Sequence, residues 1–213
     1  MKTIDMNTWP RKSHYEHFKP QVSPHFAVTA EVDISDMVNM LKPKGTSMFV
    51  ATMFCIMKAI NAVPELRMRL RGEEVVEHET THPSVTVPME GDRFGFCYFE
   101  HIDDWKIFKQ RAEEAIPEAE NQTELKDGST EIDHWAYLTC LPWITASFVQ
   151  FPTDGPDDSI PRIGWSRFTR REGRTMQPVH VLAHHALVDG LHMGRFFQHL
   201  EASLKDVPGT FSL

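Results

Sequence analysis

The chain has 213 residues, 41% apolar and 24% charged, enough for one core of ordinary size. No repeat, low-complexity tract or Gly/Pro-rich linker divides it, so a single domain over residues 1–213 is expected. Lys and Arg total 22 against 30 Asp and Glu, and the resulting net charge of −8 disfavours nucleic acid and anionic membrane surfaces as partners.

The first patterned segment, His25 to Asp33, places Phe26, Val28, Ala30 and Val32 on one side and predicts a half-buried strand. Asp33 or Ser35 then caps a short helix over Asp36 to Lys42. Met48 to Ala62 is apolar nearly all round and lacks Gly and Pro, which predicts a buried helix that stops before Pro64. Arg67, Arg69 and Arg71 alternate with apolar residues and read as a solvated face. Val75-Val76, Ser84 to Met89 and Phe94 to Phe99 read as strands, separated by Pro83 and by the turn pair Gly91-Asp92.

Asp103 or Asp104 caps a helix running through Trp105, Ile107, Phe108 and Ala112 to the vicinity of Ala115, with Pro117 marking its frayed end. Trp135 to Phe151 and Ile160 to Thr169 are strand-rich, split by Pro152, Gly155 and Pro156. Pro178 to His185 alternates, with Val179, Val181, Ala183 and His185 on one face and His180, Leu182 and His184 on the other. Met193, Phe196, Phe197, Leu200 and Leu204 have helical spacing. Several strand pairs are too close for crossover helices, so the expected class is α+β with a mixed sheet.

Cys55, Cys97 and Cys140 are odd in number, widely spaced and set among apolar neighbours, which suits reduced core thiols. Met1 to Phe18 lacks the apolar centre of a secretory leader. The longest apolar run, Met48 to Met57, is about half the ~20 residues of a membrane span. A cytoplasmic protein without membrane association is expected.

Twelve histidines are many for a chain of this size. The most informative lie in His184-His185-Ala186-Leu187-Val188-Asp189-Gly190, between a predicted strand and a predicted helix. Imidazole suits proton transfer near neutral pH, and a strand-end His can face a cleft as a general base. The residues alone also allow a structural reading: His185 packs, His184 bonds its surroundings, and Asp189-Gly190 is a turn in which Gly supplies positive φ. His180, His184, His185 and His192 are close in sequence but have neither i, i+4 helical pairing nor a CxxC partner, so no metal is expected.

The run His184 to Phe196 resembles the HHxxxDGxHxxRF signature of the chloramphenicol acetyltransferase family. Trp9 to Phe18 resembles that family's opening W-x-R-x-x-H-F segment, Glu65 to Leu70 its ELRM segment, and Leu141 to Phe148 its PW…SF segment. The resemblance spans almost the whole chain. It implies a two-layer sandwich with a mixed β-sheet packed by helices, acetyl-CoA as co-substrate, and a homotrimer with active sites at subunit interfaces. It further implies His185 as general base and Ser147 as donor to the oxyanion of the tetrahedral intermediate. Asp189 is implied to pair with Arg11 and hold the loop, with Gly190 supplying the turn.

Phe168 and Arg167 are implied to contact CoA, and Phe18, Phe94 and Phe96 to line the acceptor pocket. The sequence departs from the family pattern at several places. The interval from Leu141-Pro142-Trp143 to Ser147 is one residue short. Gly164 stands where the family often has a threonine that assists the transition state through water. The regions Glu118 to Asp133 and Asp154 to Asp158 differ from the resistance enzymes. The implied activity is O-acetylation of chloramphenicol, with another small alcohol acceptor, or a non-catalytic CoA-binding homologue, as alternatives.

Overall fold

Alternating apolar residues form the strands that divide the core, and a computed structural model describes residues 1–125 and 133–213. In chain order the elements are β1 (Lys2–Thr3), α1 (Lys12–Phe18), β2 (His25–Asp33), α2 (Ser35–Leu41), α3 (Met48–Asn61), β3 (Met68–Arg71), β4 (Glu74–Glu77), β5 (His82–Met89) and β6 (Arg93–Tyr98). These are followed by α4 (Trp105–Glu120), β7 (Trp135–Leu141), β8 (Arg162–Ser166), β9 (Thr169–Arg171), β10 (Arg174–His184), α5 (Gly190–Lys205) and α6 (Val207–Phe211).

The main sheet runs β2-β10-β8-β7-β5-β6, with β9 paired to β10, and a smaller sheet runs β1-β4-β3. β7 is parallel to both β5 and β8, while β10 is antiparallel to β2 and β8 and β5 to β6, so the main sheet is mixed as expected.

Register assigns the two faces. Val85, Leu138, Ile163, Val181 and Val28 form one row across five strands, and this apolar face meets the helices. α3 lies centrally on it, with Phe49 against Trp165 and Thr52 Oγ1 donating to Gln177 Oε1. Buried from Val50 to Met57 and again at Ala59 and Ile60, α3 is apolar all round because it is enclosed all round. The adjacent row, Thr139, Gly164, His180 and Thr29, points to the opposite face. Segment 142–161 crosses that face and is tied to it by His184, Arg162 and Ser166.

Three expectations change. α4 continues through Pro117 to Glu120. The carbonyl that loses its helical partner belongs to exposed Glu113, where water can serve it, and buried Ala119 anchors the last turn against β6. The strand from Trp135 ends at Leu141, because Pro142 cannot continue a central ladder. Arg69 is not on a solvated face: it is 1% exposed and donates to the carbonyls of Leu66, Met68, Asp133 and Trp135. Burial pulls its pKa down to about 10, so it remains a cation at neutral pH.

Cys55 and Cys97 are buried, Cys140 is partly so, and all three are free. Burial pushes each thiol up to about 12 and leaves it protonated. Among the described residues no helix is long and apolar enough to cross a membrane.

Gly95 on β6 faces the end of α4, where an added Cβ would lie 2.7 Å from the Ala119 carbonyl oxygen. Gly95→Ala is expected to destabilise by about 1–3 kcal/mol through overpacking. Thermal melting checks this, at roughly 2–4 °C of Tm per kcal/mol for a chain of this size.

Candidate active site

β10 ends at His184, which places the His184-His185 pair at the C-terminal end of a central strand, and the turn that follows is built by His184. Its Nδ1 accepts from the Ala186 N–H at 3.1 Å, so its proton sits on Nε2, which donates to the Pro156 carbonyl at 2.8 Å. The Val188 N–H closes the turn on the His184 carbonyl at 3.0 Å. Burial lowers the His184 pKa to about 4, only partly opposed by the bond to Pro156, so this ring is a neutral strut at physiological pH.

His185 points the other way. Its ring stacks on Phe18 with centroids 3.9 Å apart and planes 9° apart, and Phe26 lies 4.5 Å away on β2. The His185 N–H donates to the Pro24 carbonyl at 2.8 Å. Nδ1 is buried without a partner, and the half-buried ring has no hydrogen bond to any described residue. Two aromatic faces thus fix the imidazole plane and leave Nε2 as the position open to a reacting group.

Asp189 closes the turn. Its Oδ2 accepts from Arg11 Nη1 at 2.5 Å, and its Oδ1 accepts from the Leu191 N–H at 2.9 Å and caps α5. His192 completes a capping box, its Nδ1 accepting from the Asp189 N–H at 3.0 Å while Nε2 faces Glu65 Oε1 at 3.4 Å. Burial raises the Asp189 carboxyl, but the Arg11 bond together with His192, the Arg11 charge and the Leu191 N–H outweighs it, and the net shift is downward. Gly190 does not supply a positive φ: it is absent from the left-handed positions, forms the first residue of α5, and an added Cβ there would meet nothing within 4 Å. The capping box holds the chain direction instead.

Phe94 and Phe96 join Tyr137, Thr139, Trp143 and Phe151 around a cavity of about 1370 Å³ whose lining also takes in Phe49 of α3 and Ile116 of α4. Among its polar lining residues are Thr86 and Thr139, whose hydroxyls are 2.9 Å apart. His185 and Phe18 do not line this cavity. Ser147 stands on an exposed bend beyond Trp143, also outside the lining, whereas Thr86 and Thr139 are among the hydroxyl-bearing residues that line the cavity. Ser147 is implied by the family resemblance, and Thr139 is a residue that the sequence reading did not single out.

Arg167 is exposed, and Phe168 beside it lies 5.9 Å beneath Lys42 Nζ, a cation that the sequence did not single out. Among the described residues no group of three His, Cys, Asp or Glu is arranged to hold a metal ion.

Comparison with known proteins adds a second line of observation. The family model described as chloramphenicol acetyltransferase matches residues 1–201. The chain belongs to the chloramphenicol acetyltransferase family. Chloramphenicol acetyltransferase 2 of Escherichia coli is 27% identical over 200 residues, covering 93% of this chain and 94% of that one. A solved chloramphenicol acetyltransferase superposes with a TM-score of 0.86 at 23% identity, over 94% of this chain and 98% of that one.

The cubic core of a pyruvate dehydrogenase multienzyme complex follows with a TM-score of 0.62 at 16% identity, over 99% and 93% of the two chains. The protein is therefore an acyltransferase of the chloramphenicol acetyltransferase family, with the α+β mixed-sheet fold that it shares with that core.

The Asp189 pKa is lowered by folding, so its contribution to stability is full above the unfolded value near ~4 and is lost as pH falls through the folded value. Asp189→Asn is expected to cost about 1–3 kcal/mol at pH 7, between an exposed and a fully buried pair. Urea titrations at successive pH values should bring wild type and variant together on the acid side.

Proposed function

We propose that this protein is an acetyl-CoA-dependent O-acetyltransferase that acetylates a hydroxyl of chloramphenicol in a ternary complex, with His185 as general base. The observation that carries this reading is the His185 ring, clamped by Phe18 and Phe26 with Nδ1 buried and Nε2 available. The acceptor oxygen attacks the thioester carbonyl as its proton passes to Nε2, forming the C–O bond and a tetrahedral oxyanion. Collapse breaks the C–S bond, and the imidazolium returns the proton to the departing thiolate of CoA. No acyl-enzyme is required.

The oxyanion needs a hydroxyl donor, and two are candidates. Ser147 is the one the family motif suggests. Thr139 lies in the cavity wall, and a bond from Thr86 to its oxygen would leave the Thr139 proton free to donate. The Arg11–Asp189 pair acts as structural support. Arg167, Phe168 and Lys42 offer cations and an aromatic face to the phosphates and adenine of CoA.

A homotrimer is part of the same proposal. His185 and the cavity lie apart on one chain, as two halves of a site assembled between copies would. Trp143 and Phe94 on the cavity lining, with Ile144 and Phe148 beside them, are 71%, 48%, 53% and 58% exposed in the single chain, an apolar margin suited to burial by a neighbour. The loops that differ from the family pattern and Gly164 favour a second reading, in which the same chemistry serves another small alcohol. Placement in the cytoplasm is part of the proposal.

Following free thiol with acetyl-CoA and chloramphenicol tests the reading. His185→Ala should lower kcat by about 10²–10⁴-fold with Tm unchanged. Thr139→Val should lower kcat by about 10²–10³-fold and Ser147→Ala far less, as expected for loss of one oxyanion donor; the opposite order assigns the role to Ser147. Turnover of other alcohols alone favours the second reading, and CoA binding without turnover by any alcohol defeats both. Size-exclusion chromatography with light scattering should give a trimer, and a 24.5 kDa monomer would refute the shared site.

A further inference from the structure

Gly164 occupies the middle of β8, between Thr139 of β7 and His180 of β10. A central strand position without a side chain leaves a hole in the sheet surface and weakens the strand. Here the hole is filled from outside. An added Cβ on Gly164 would lie 3.0 Å from Cζ and 3.3 Å from Cε1 of Phe151, so the edge of that ring rests on the bare backbone.

Phe151 belongs to segment 142–161, which has no regular secondary structure, and it precedes Pro152, which holds its backbone extended. The ring is 8% exposed and lines the cavity. At this point the depth of the cavity is therefore set by a ring carried on a loop and not by a side chain of the sheet.

From this contact, and resting on the reading of the cavity as the acceptor site, we infer that Phe151 is a specificity-determining residue that limits how deeply an aryl alcohol enters between β7 and β8. The ring is an apolar stop that shares the Gly164 hollow with the methyl of Thr139, whose hydroxyl pairs with that of Thr86. Acceptors that end in a small apolar group fit against it, and longer ones meet it. Gly164 is the positioning partner: any larger residue there pushes the ring into the cavity.

The test is a series of para-substituted benzyl alcohols of increasing length, measured by equilibrium binding to the full-length protein and by thiol release with acetyl-CoA. Phe151→Ala is expected to improve binding and kcat/KM at least tenfold for the longest members relative to the shortest, with KM for acetyl-CoA unchanged. Gly164→Ala should raise KM for every acceptor, and Phe151→Ala in the same chain should relieve that increase. If Phe151→Ala does not fold, Phe151→Leu carries the same comparison with a smaller change.

Selectivity within twofold of wild type in folded variants overturns the inference, as does a Gly164→Ala defect that Phe151→Ala leaves in place. Binding that follows length without any thiol release keeps the role of Phe151 and defeats the transferase reading, so the two failures are separable.

Discussion

The short helix α1 holds the His185 turn at both ends. Arg11, at its start, pairs with Asp189, and Phe18, at its last residue, stacks on His185. The two are seven residues apart, with buried Tyr15 between them at i+4, so all three share one face. A rigid helix therefore sets the distance between the anchor of the turn and the ring that it presents. On the other side of the turn, Phe26 and the Pro24 carbonyl come from β2 and its approach. The imidazole is positioned by elements remote in sequence, before any substrate arrives.

The sheet divides the remaining tasks between its faces. The helix-facing row is apolar and continuous across five strands, which supplies the burial that stabilises the fold. The opposite row carries hydroxyls, an imidazole and a glycine, and is covered by segment 142–161 instead of by helices. His180 shows how that face is satisfied: Thr29 Oγ1 lies 2.9 Å from its Nδ1, and Ser166 Oγ faces its Nε2 at 3.4 Å while also accepting from the Ala146 N–H. The segment leaves a cavity beside this row, and on the proposed reading a second copy completes it with the imidazole that one chain holds elsewhere.

Much of the architecture was readable before the fold was known. The alternation of β2, β5, β6 and β10 and the all-round apolarity of α3 are short-range properties, and they fell where expected within a few residues. The HHxxxDG run was legible as a family motif because its parts are nearly contiguous, but its local geometry was not: Asp189 caps α5 where a glycine turn was expected. Other features were not legible, because their partners are distant. Arg69 looked solvated until β7 placed the Asp133 and Trp135 carbonyls around it, 64 and 66 residues away. Pro117 looked like a helix end until Gly95 opened room for the last turn.

The sequence by itself determined the element types, the two-sided strands and the turn that presents His185, since periodicity and capping act over a few residues. It also carried the family, through motifs in chain order. Folding in three dimensions decided which residues line the cavity, where Phe151 rests, and that His185 is not among the lining residues of its own chain. Those outcomes depend on strand register and on a long irregular segment. Register couples residues across the sheet, and no local pattern of side chains encodes it.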